Sequence, residues 1–187
     1  MPASPEAAEF LLTRRSRPAR LLGLPEPDRE ALTRIMTAAV RVPDHGKLEP
    51  WRLIVLRGVA LGRFAKAIRE RAEETGEDAE KGALAFEQAP VAIAVVASPV
   101  ESDKIPQIEQ TLSAGGVALS LLNAALAEGW GANWLTGWPA YDVDLREKEL
   151  GLADHEWIVG FIYIGTGVGE VPDRPRPDLD KIVTWRD

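Results

Sequence analysis

The sequence predicts one domain in which α-helices alternate with β-strands, and three observations predict it. The chain has 187 residues and is 45% hydrophobic. A chain of this size buries roughly 70% of the surface its unfolded form exposes, so a substantial core is available. Two runs, PVAIAVVA at 90–97 and WIVGFIYI at 157–164, are apolar on both faces, as strands inside a sheet are. The segment from 106 to about 128 has a helical pattern, apolar nearly all round between Leu112 and Leu126. That predicts a buried central helix, far longer than an ordinary crossover.

The remaining elements follow in order. Residues 7–13 form a short helical pattern that runs into the basic cluster Thr13-Arg14-Arg15-Ser16-Arg17, with Arg20 beyond it. Asp28 is placed to cap a helix from 29 to about 41, with Leu32, Ile35, Met36 and Ala39 on one face. Pro43 ends that helix, because proline lacks an N–H and biases the residue before it away from helical angles. WRLIVL at 51–56 reads as a strand. Residues 60–75 form an amphipathic helix with Leu61, Phe64, Ala65 and Ile68 inward, and 78–88 form another.

After the strand at 90–97 comes a polar loop, 98–105. Pro106 is accepted in the first turn of the long helix. Gly115 and Gly116 inside that helix each cost about 1 kcal/mol relative to alanine. They suggest close approach of a backbone or a ligand, close helix packing being the commoner cause. Gly129 stops the helix. Residues 130–134 read as a short strand, Thr136-Gly137 as a turn, and 144–150 as a short helix stopped by Gly151. The glycine- and proline-rich 165–178 is extended, and Ile182-Val183-Thr184-Trp185 has the pattern of a last strand.

Composition narrows the function. A net charge of -7, from 22 Lys+Arg against 29 Asp+Glu, argues against nucleic acid or an anionic membrane as the main partner. The chain has no cysteine, which removes disulfides, thiolate zinc sites, iron–sulfur clusters and cysteine nucleophiles together. Its histidines, His45 and His155, lack metal-ligand spacing, so no metal is expected. MPASPEAAEFLLTRRSR lacks the basic start and apolar stretch of a signal peptide. The apolar segment 117–127 is too short to span a bilayer. A soluble, cytoplasmic protein is expected.

Four constellations carry candidate chemistry. Arg14, Arg15 and Ser16 suit a phosphate, because arginine offers forked, permanently charged donors and serine a short one. On that segment alone, a solvated basic patch is the simpler reading. The connection RVPDHGKLEPW at 41–51 holds an acid, a histidine, a lysine and a second acid between two rigid elements. Such loops build binding sites, though on this segment alone a loop histidine satisfied by neighbouring backbone is the simpler reading. Trp130, Trp134 and Trp138 flank a glycine turn and fit a pocket for a planar ring, though core or subunit packing explains at least one of them. Gly165-Thr166-Gly167-Val168-Gly169 follows a strand but lacks the spacing and the helix of a dinucleotide fingerprint, and reads as a flexible exit. Beyond it, Arg174 and Arg176 alternate with prolines. Residues two apart in an extended chain point the same way, so both can grip one anion. No Ser-His-Asp pattern, paired glycosidase carboxylates or P-loop is present, so an enzyme built from this chain needs a cofactor to carry its reaction.

Taken in order, these pieces resemble the FMN-dependent nitroreductase family, and most closely its short members, the minimal NAD(P)H nitroreductases. The likeness covers nearly the whole chain. It rests on Arg14-Arg15-Ser16, on Pro43-Asp44-His45 through Pro50-Trp51, on Ser113-Ala114-Gly115-Gly116, on Trp134-Leu135-Thr136-Gly137, and on Gly160-Phe161-Ile162-Tyr163-Ile164-Gly165-Thr166. The resemblance implies one domain over 1–187 of α+β class: a mixed sheet flanked by helices, with a long buried central helix, in an intertwined homodimer with FMN at the interface. It implies that Arg14, Arg15 and Ser16 contact the phosphate and ribityl end, joined by Arg174 or Arg176. Pro43, His45 and Glu49 would face the flavin, the latter two from the partner chain. Trp134, Leu135 and Thr136 would line the isoalloxazine.

The implied activity is ping-pong transfer of hydride from NADH or NADPH through FMN to a nitroaromatic, a quinone or a similar small acceptor, with no catalytic side chain. Other reactions on the same scaffold are reductive dehalogenation and flavin fragmentation, and a non-catalytic flavin-binding or redox-sensing module is a further alternative. The short connection between Glu74 and Asp78 leaves no room for a long substrate lid, which weakens the dehalogenase version. Glu49 departs from the family pattern, where glutamine is common; a carboxylate accepts hydrogen bonds from the flavin pyrimidine edge but donates none.

Overall fold

The two apolar runs lie side by side inside one sheet in the computed structural model, which describes residues 2–186. Met1 and Asp187, the ends of the expected 1–187 domain, lie outside the described residues. The strands are β1 (Leu22–Gly23), β2 (Trp51–Arg57), β3 (Val91–Ala97), β4 (Gly131–Leu135) and β5 (Trp157–Gly167). The helices are α1 (Pro5–Thr13), α2 (Arg29–Ala39), α3 (Val59–Thr75), α4 (Ala79–Gln88), α5 (Gln107–Ala127) and α6 (Leu179–Ile182). β2 pairs with β3, β3 with β5, and β5 also takes β1 and β4.

The α+β class and the flanking helices agree with the sequence reading. The implied mixed sheet is refined: within one chain, each pairing among the described residues is antiparallel. Chain direction explains this. Two helices separate β2 from β3, so the chain returns running the opposite way. β3 and β4 run the same way, but β5 lies between them.

Each face of the sheet carries its own core. β3 alternates Ala92, Ala94 and Val96 toward α3 and α4 with Val91, Ile93 and Val95 toward α2 and α5. That is why all seven of its residues are buried. On the first face Phe86 meets Phe64, Phe161 and Tyr163 edge-on, with ring centroids 4.9–5.1 Å apart. On the second, Ile35 of α2 and Val117, Leu121 and Ala125 of α5 cover Ile162 and Ile164. Asp28 and Asp78 cap α2 and α4 by accepting from the N–H groups of Ala31 (2.8 Å) and Lys81 (3.0 Å). Only 76–78 separate α3 from α4, so no lid is inserted there.

Four expectations change. By length and composition α5 could cross a membrane, yet its buried residues pack on α2 and the sheet, so it is a core helix. It is not buried all round, however: Ile108, Leu112 and Leu119 are 63%, 68% and 46% exposed, because none of the described residues covers that side. The glycines of 165–167 are not a flexible exit. They extend β5, where pairing with β1 and β4 overrides their weak strand propensity. The segment 182–185 forms no strand; α6 ends at Ile182, and Trp185 is 85% exposed. The short helix at 144–150 is one π-type turn, Leu145–Glu149.

The starts of β2 and β5 are tied by Arg52, whose Nε and Nη2 each donate to one oxygen of Glu156 at 2.7 Å. Ala153 N–H adds a third donor at 3.0 Å. The Arg52 guanidinium, aided by that N–H and opposed by burial, holds the Glu156 carboxyl down at about 2. That lies below the ordinary 4.5, so the pair stabilises fully above about pH 4.5 and loses its contribution as pH falls toward 2. Glu156→Gln is expected to lower the unfolding free energy at neutral pH by about 2 kcal/mol. Urea titrations at successively lower pH should show this difference shrinking. A difference that stays constant with pH excludes the ion pair as its source.

Candidate functional site

The site grows from the exit of α1. Past Thr13 the chain leaves the helix, and Arg17 N–H donates to Ala132 O at 2.8 Å, which lays 14–17 along the outer edge of β4. The stem of Arg17 then crosses Gly167, where a Cβ would stand 2.6 Å from Arg17 Cδ. A side chain at that position would therefore push the stem of Arg17 aside. Arg17 Nη1 continues to Gly169 O at 2.6 Å, so the same side chain seats the tail that leaves β5.

Two ends of the chain meet here. Leu11, Arg14, Arg15, Ser16, Arg174 and Arg176 line a cavity of about 300 Å³. Arg14 Nη1 is buried and has no hydrogen-bond partner among the described residues. Leaving a charged donor unsatisfied is costly, so this atom calls for an anion. Arg15 Nη1 is held by Pro172 O and by Asp173 Oδ1, the latter at 3.2 Å. Arg176 Nη2 reaches the same oxygen at 3.1 Å. The Asp173 carboxyl is held below its ordinary range, first by the N–H of Arg174, then by the charges of Arg176 and Arg15. Asp173 was not legible as a site residue, since one acid in a charged tail carries no signal of its own.

β4 leads away from this cavity toward Trp134, Leu135 and Thr136. Residues two apart on an antiparallel strand direct their backbone groups to the same edge. Ala132 O points outward to Arg17, and so do the N–H and C=O of Trp134. The Trp134 indole lies over Gly160 of β5, where any Cβ would run into Nε1. Leu135 and Thr136 border a small cavity of about 40 Å³ with Gly82, Phe86 and Pro139. Trp138 has a packing role: its ring rests on Gly82, and its Nε1 donates to Asp78 O at 3.0 Å. Trp130 packs at the margin of the core under α2 and α5.

Pro43, His45 and Glu49 do not line the arginine cavity. They lie on a loop shaped by Asp44, whose two oxygens accept from Leu48 N–H (3.3 Å) and Glu49 N–H (2.9 Å). Lys47 (φ 55°) and Glu49 (φ 48°) sit in the left-handed region, at a cost of about 1–3 kcal/mol each. Such strain is typical of loops shaped for binding. The loop is fastened to α5: Ser113 Oγ donates to Pro43 O at 2.9 Å, and His45 Nδ1 lies 2.7 Å from Glu109 Oε2. With Nδ1 engaged, Nε2 is the ring nitrogen left for a ligand. His45, Lys47 and Glu49 are exposed.

Comparison with known proteins gives a consistent picture. A sequence model of the Nitroreductase family matches residues 11–166. The chain is 37% identical over 164 residues to the Escherichia coli (strain K12) protein named "Putative NAD(P)H nitroreductase YdjA", covering 86% of this chain and 88% of that one. A nitroreductase-like family protein from Bacillus cereus superposes with a TM-score of 0.83 at 20% identity, covering 99% of this chain and 98% of the other. A variant of the FMN and NADPH-dependent nitroreductase NfnB from Sphigopyxis sp. strain HMH superposes with a TM-score of 0.78 at 25% identity, covering 97% and 99%.

The contact between Trp134 and Gly160 is open to a direct test. Gly160→Ala must displace the indole and is expected to destabilise the fold by about 1–3 kcal/mol, as overpacking does. Thermal denaturation and the near-ultraviolet circular dichroism of the tryptophans measure it. Unchanged values for both would mean that the ring has room elsewhere.

Proposed function

Because the chain belongs to the nitroreductase family, we propose that it is an FMN-dependent oxidoreductase, taking hydride from NADH or NADPH and passing it to a nitroaromatic, a quinone or a similar acceptor in a ping-pong cycle. The observation that carries this reading is Arg14, a guanidinium with one buried, unpartnered nitrogen in a cavity lined by three more arginines and a serine. A phosphate dianion suits that donor set. An acidic protein that gathers arginines in one place has a specific anion to hold.

Arg14 and Ser16 would grip the phosphate from the α1 side, and Arg174 and Arg176 from the tail. The ring would lie along the outer edge of β4, where Trp134 offers backbone groups and the turn at Thr136-Gly137 follows. Bound FMN supplies the redox chemistry, which no side chain of this chain can. The protein would bind and orient it. His45 would present Nε2, oriented from behind by Glu109, while Glu49 can only accept hydrogen bonds.

We infer further that two chains form an intertwined homodimer and that Pro43, His45 and Glu49 serve the partner's flavin. Ile108, Leu112 and Leu119 make an exposed apolar face on α5, and a Cβ at Gly115, between them, would meet nothing within 4 Å. Gly116 by contrast already meets Val42. A second copy crossing at Gly115 would cover that face, since a two-fold interface sets the same patch against itself. Exchange of tails is supported by the strand pattern of 182–185, which has no partner among the described residues, and by β2, which pairs among them on one edge only. A cytoplasmic location would give the enzyme access to NAD(P)H.

Purified protein should be yellow, and anaerobic NADH or NADPH should bleach it. A colourless protein that takes up no added FMN ends this reading, and a yellow one that neither nucleotide bleaches favours a sensor. Arg14→Ala should weaken FMN binding about tenfold to hundredfold, the size of a lost charged hydrogen bond, and leave riboflavin affinity unchanged. Leu112→Glu should halve the mass measured by light scattering and release the flavin. A variant that stays dimeric would take α5 out of the interface.

A further inference from the structure

We propose that Asp173 latches the segment 168–176 over the arginine cavity, and that Arg15 anchors this latch rather than binding the cofactor phosphate. The proposal rests on the flavin reading above.

The segment has almost no apolar hold on the fold. Apart from half-buried Val171, every residue from Val168 to Arg176 is exposed. Its position therefore depends on polar contacts, and nearly all come from residues 15–21. Val168 N–H donates to Leu21 O at 3.0 Å, and Arg17 Nη1 donates to Gly169 O. Arg15 Nη1 donates to Pro172 O and reaches Asp173 Oδ1. The same oxygen accepts from Arg174 N–H at 2.8 Å and from Arg176 Nη2 at 3.1 Å. One carboxylate oxygen thus joins the α1 exit to the tail that carries Arg174 and Arg176.

Charge makes the junction necessary. Arg14, Arg15, Arg174 and Arg176 surround one small cavity, and four like charges repel. Asp173 stands between Arg15 and Arg176, so it draws the tail in where repulsion would push it out. Arg15 Nη1 is already engaged by the tail, whereas Arg14 Nη1 has no partner among the described residues. The two neighbouring arginines therefore divide the work: Arg14 meets the anion, and Arg15 holds the wall.

This makes a prediction whose sign is informative. If Asp173 merely offset positive charge, Asp173→Asn would raise the local potential and tighten FMN binding. As a latch, its loss lets Arg174 and Arg176 swing away and loosens FMN. The test measures FMN and riboflavin affinity by flavin fluorescence in the full-length protein, together with hydrogen exchange across 168–176 without cofactor. Asp173→Asn should weaken FMN about tenfold, as loss of charged donors does, leave riboflavin unchanged and speed exchange in the segment. Asp173→Glu should restore much of the effect. Tighter or unchanged FMN binding in Asp173→Asn overturns the latch. If Arg14→Ala still weakens FMN in that case, the flavin reading stands and the latch alone falls. If Arg14→Ala also has no effect, both fall.

Discussion

Arg17 organises the end of the molecule where the cofactor is proposed to bind. Its N–H pairs with β4, its stem lies on Gly167 of β5, and its guanidinium holds the carbonyl of Gly169. Two segments far from it in sequence, β4 and the end of β5 with its exit, are fixed by one residue. The arginines before it are then aimed by the strand edge they run along, and those of the tail by the turn Arg17 seats. Gly167 is the other half of this contact. Any side chain there would lift the stem of Arg17 and with it the wall of the cavity.

The chain is acidic as a whole and basic at one place, and the two facts belong together. Net charge of -7 repels anions in general, so a cavity of arginines with a buried unpartnered nitrogen selects an anion it can enclose. Closer control lies in how each guanidinium is held. Arg52 is fixed by Glu156 and serves the fold, Arg15 is fixed by the tail, and Arg14 keeps a donor open. Hydrogen-bond partners, rather than sequence position, distinguish Arg14 from its neighbour Arg15.

The core was legible because burial leaves periodic traces: the two apolar runs and the inward face of α3 stand where their patterns placed them, as does the cap at Asp28. Two-residue β1 left no trace, being a strand only through its pairing with Gly167 and Thr166. Residues 182–185 erred the other way, with strand composition but no partner in the same chain. α5 shows why apolarity alone misleads: it does not distinguish a side covered by this chain from one that another surface must cover. At the site, the arginines stood out against the acidic background. Asp173 and the anchoring role of Arg17 did not, because both depend on residues about 150 positions away that only folding brings near.

The anion cavity takes one wall from residues 11–16 and the other from 174–176. During synthesis the first wall stands incomplete until the second, about 158 residues further along, has left the ribosome. A nascent chain can assemble its sheet and much of its core before that moment, but it cannot enclose a phosphate. On the proposed site, cofactor capture follows synthesis of that second wall, and a product interrupted before Arg174 would lack the tail arginines proposed to hold the flavin.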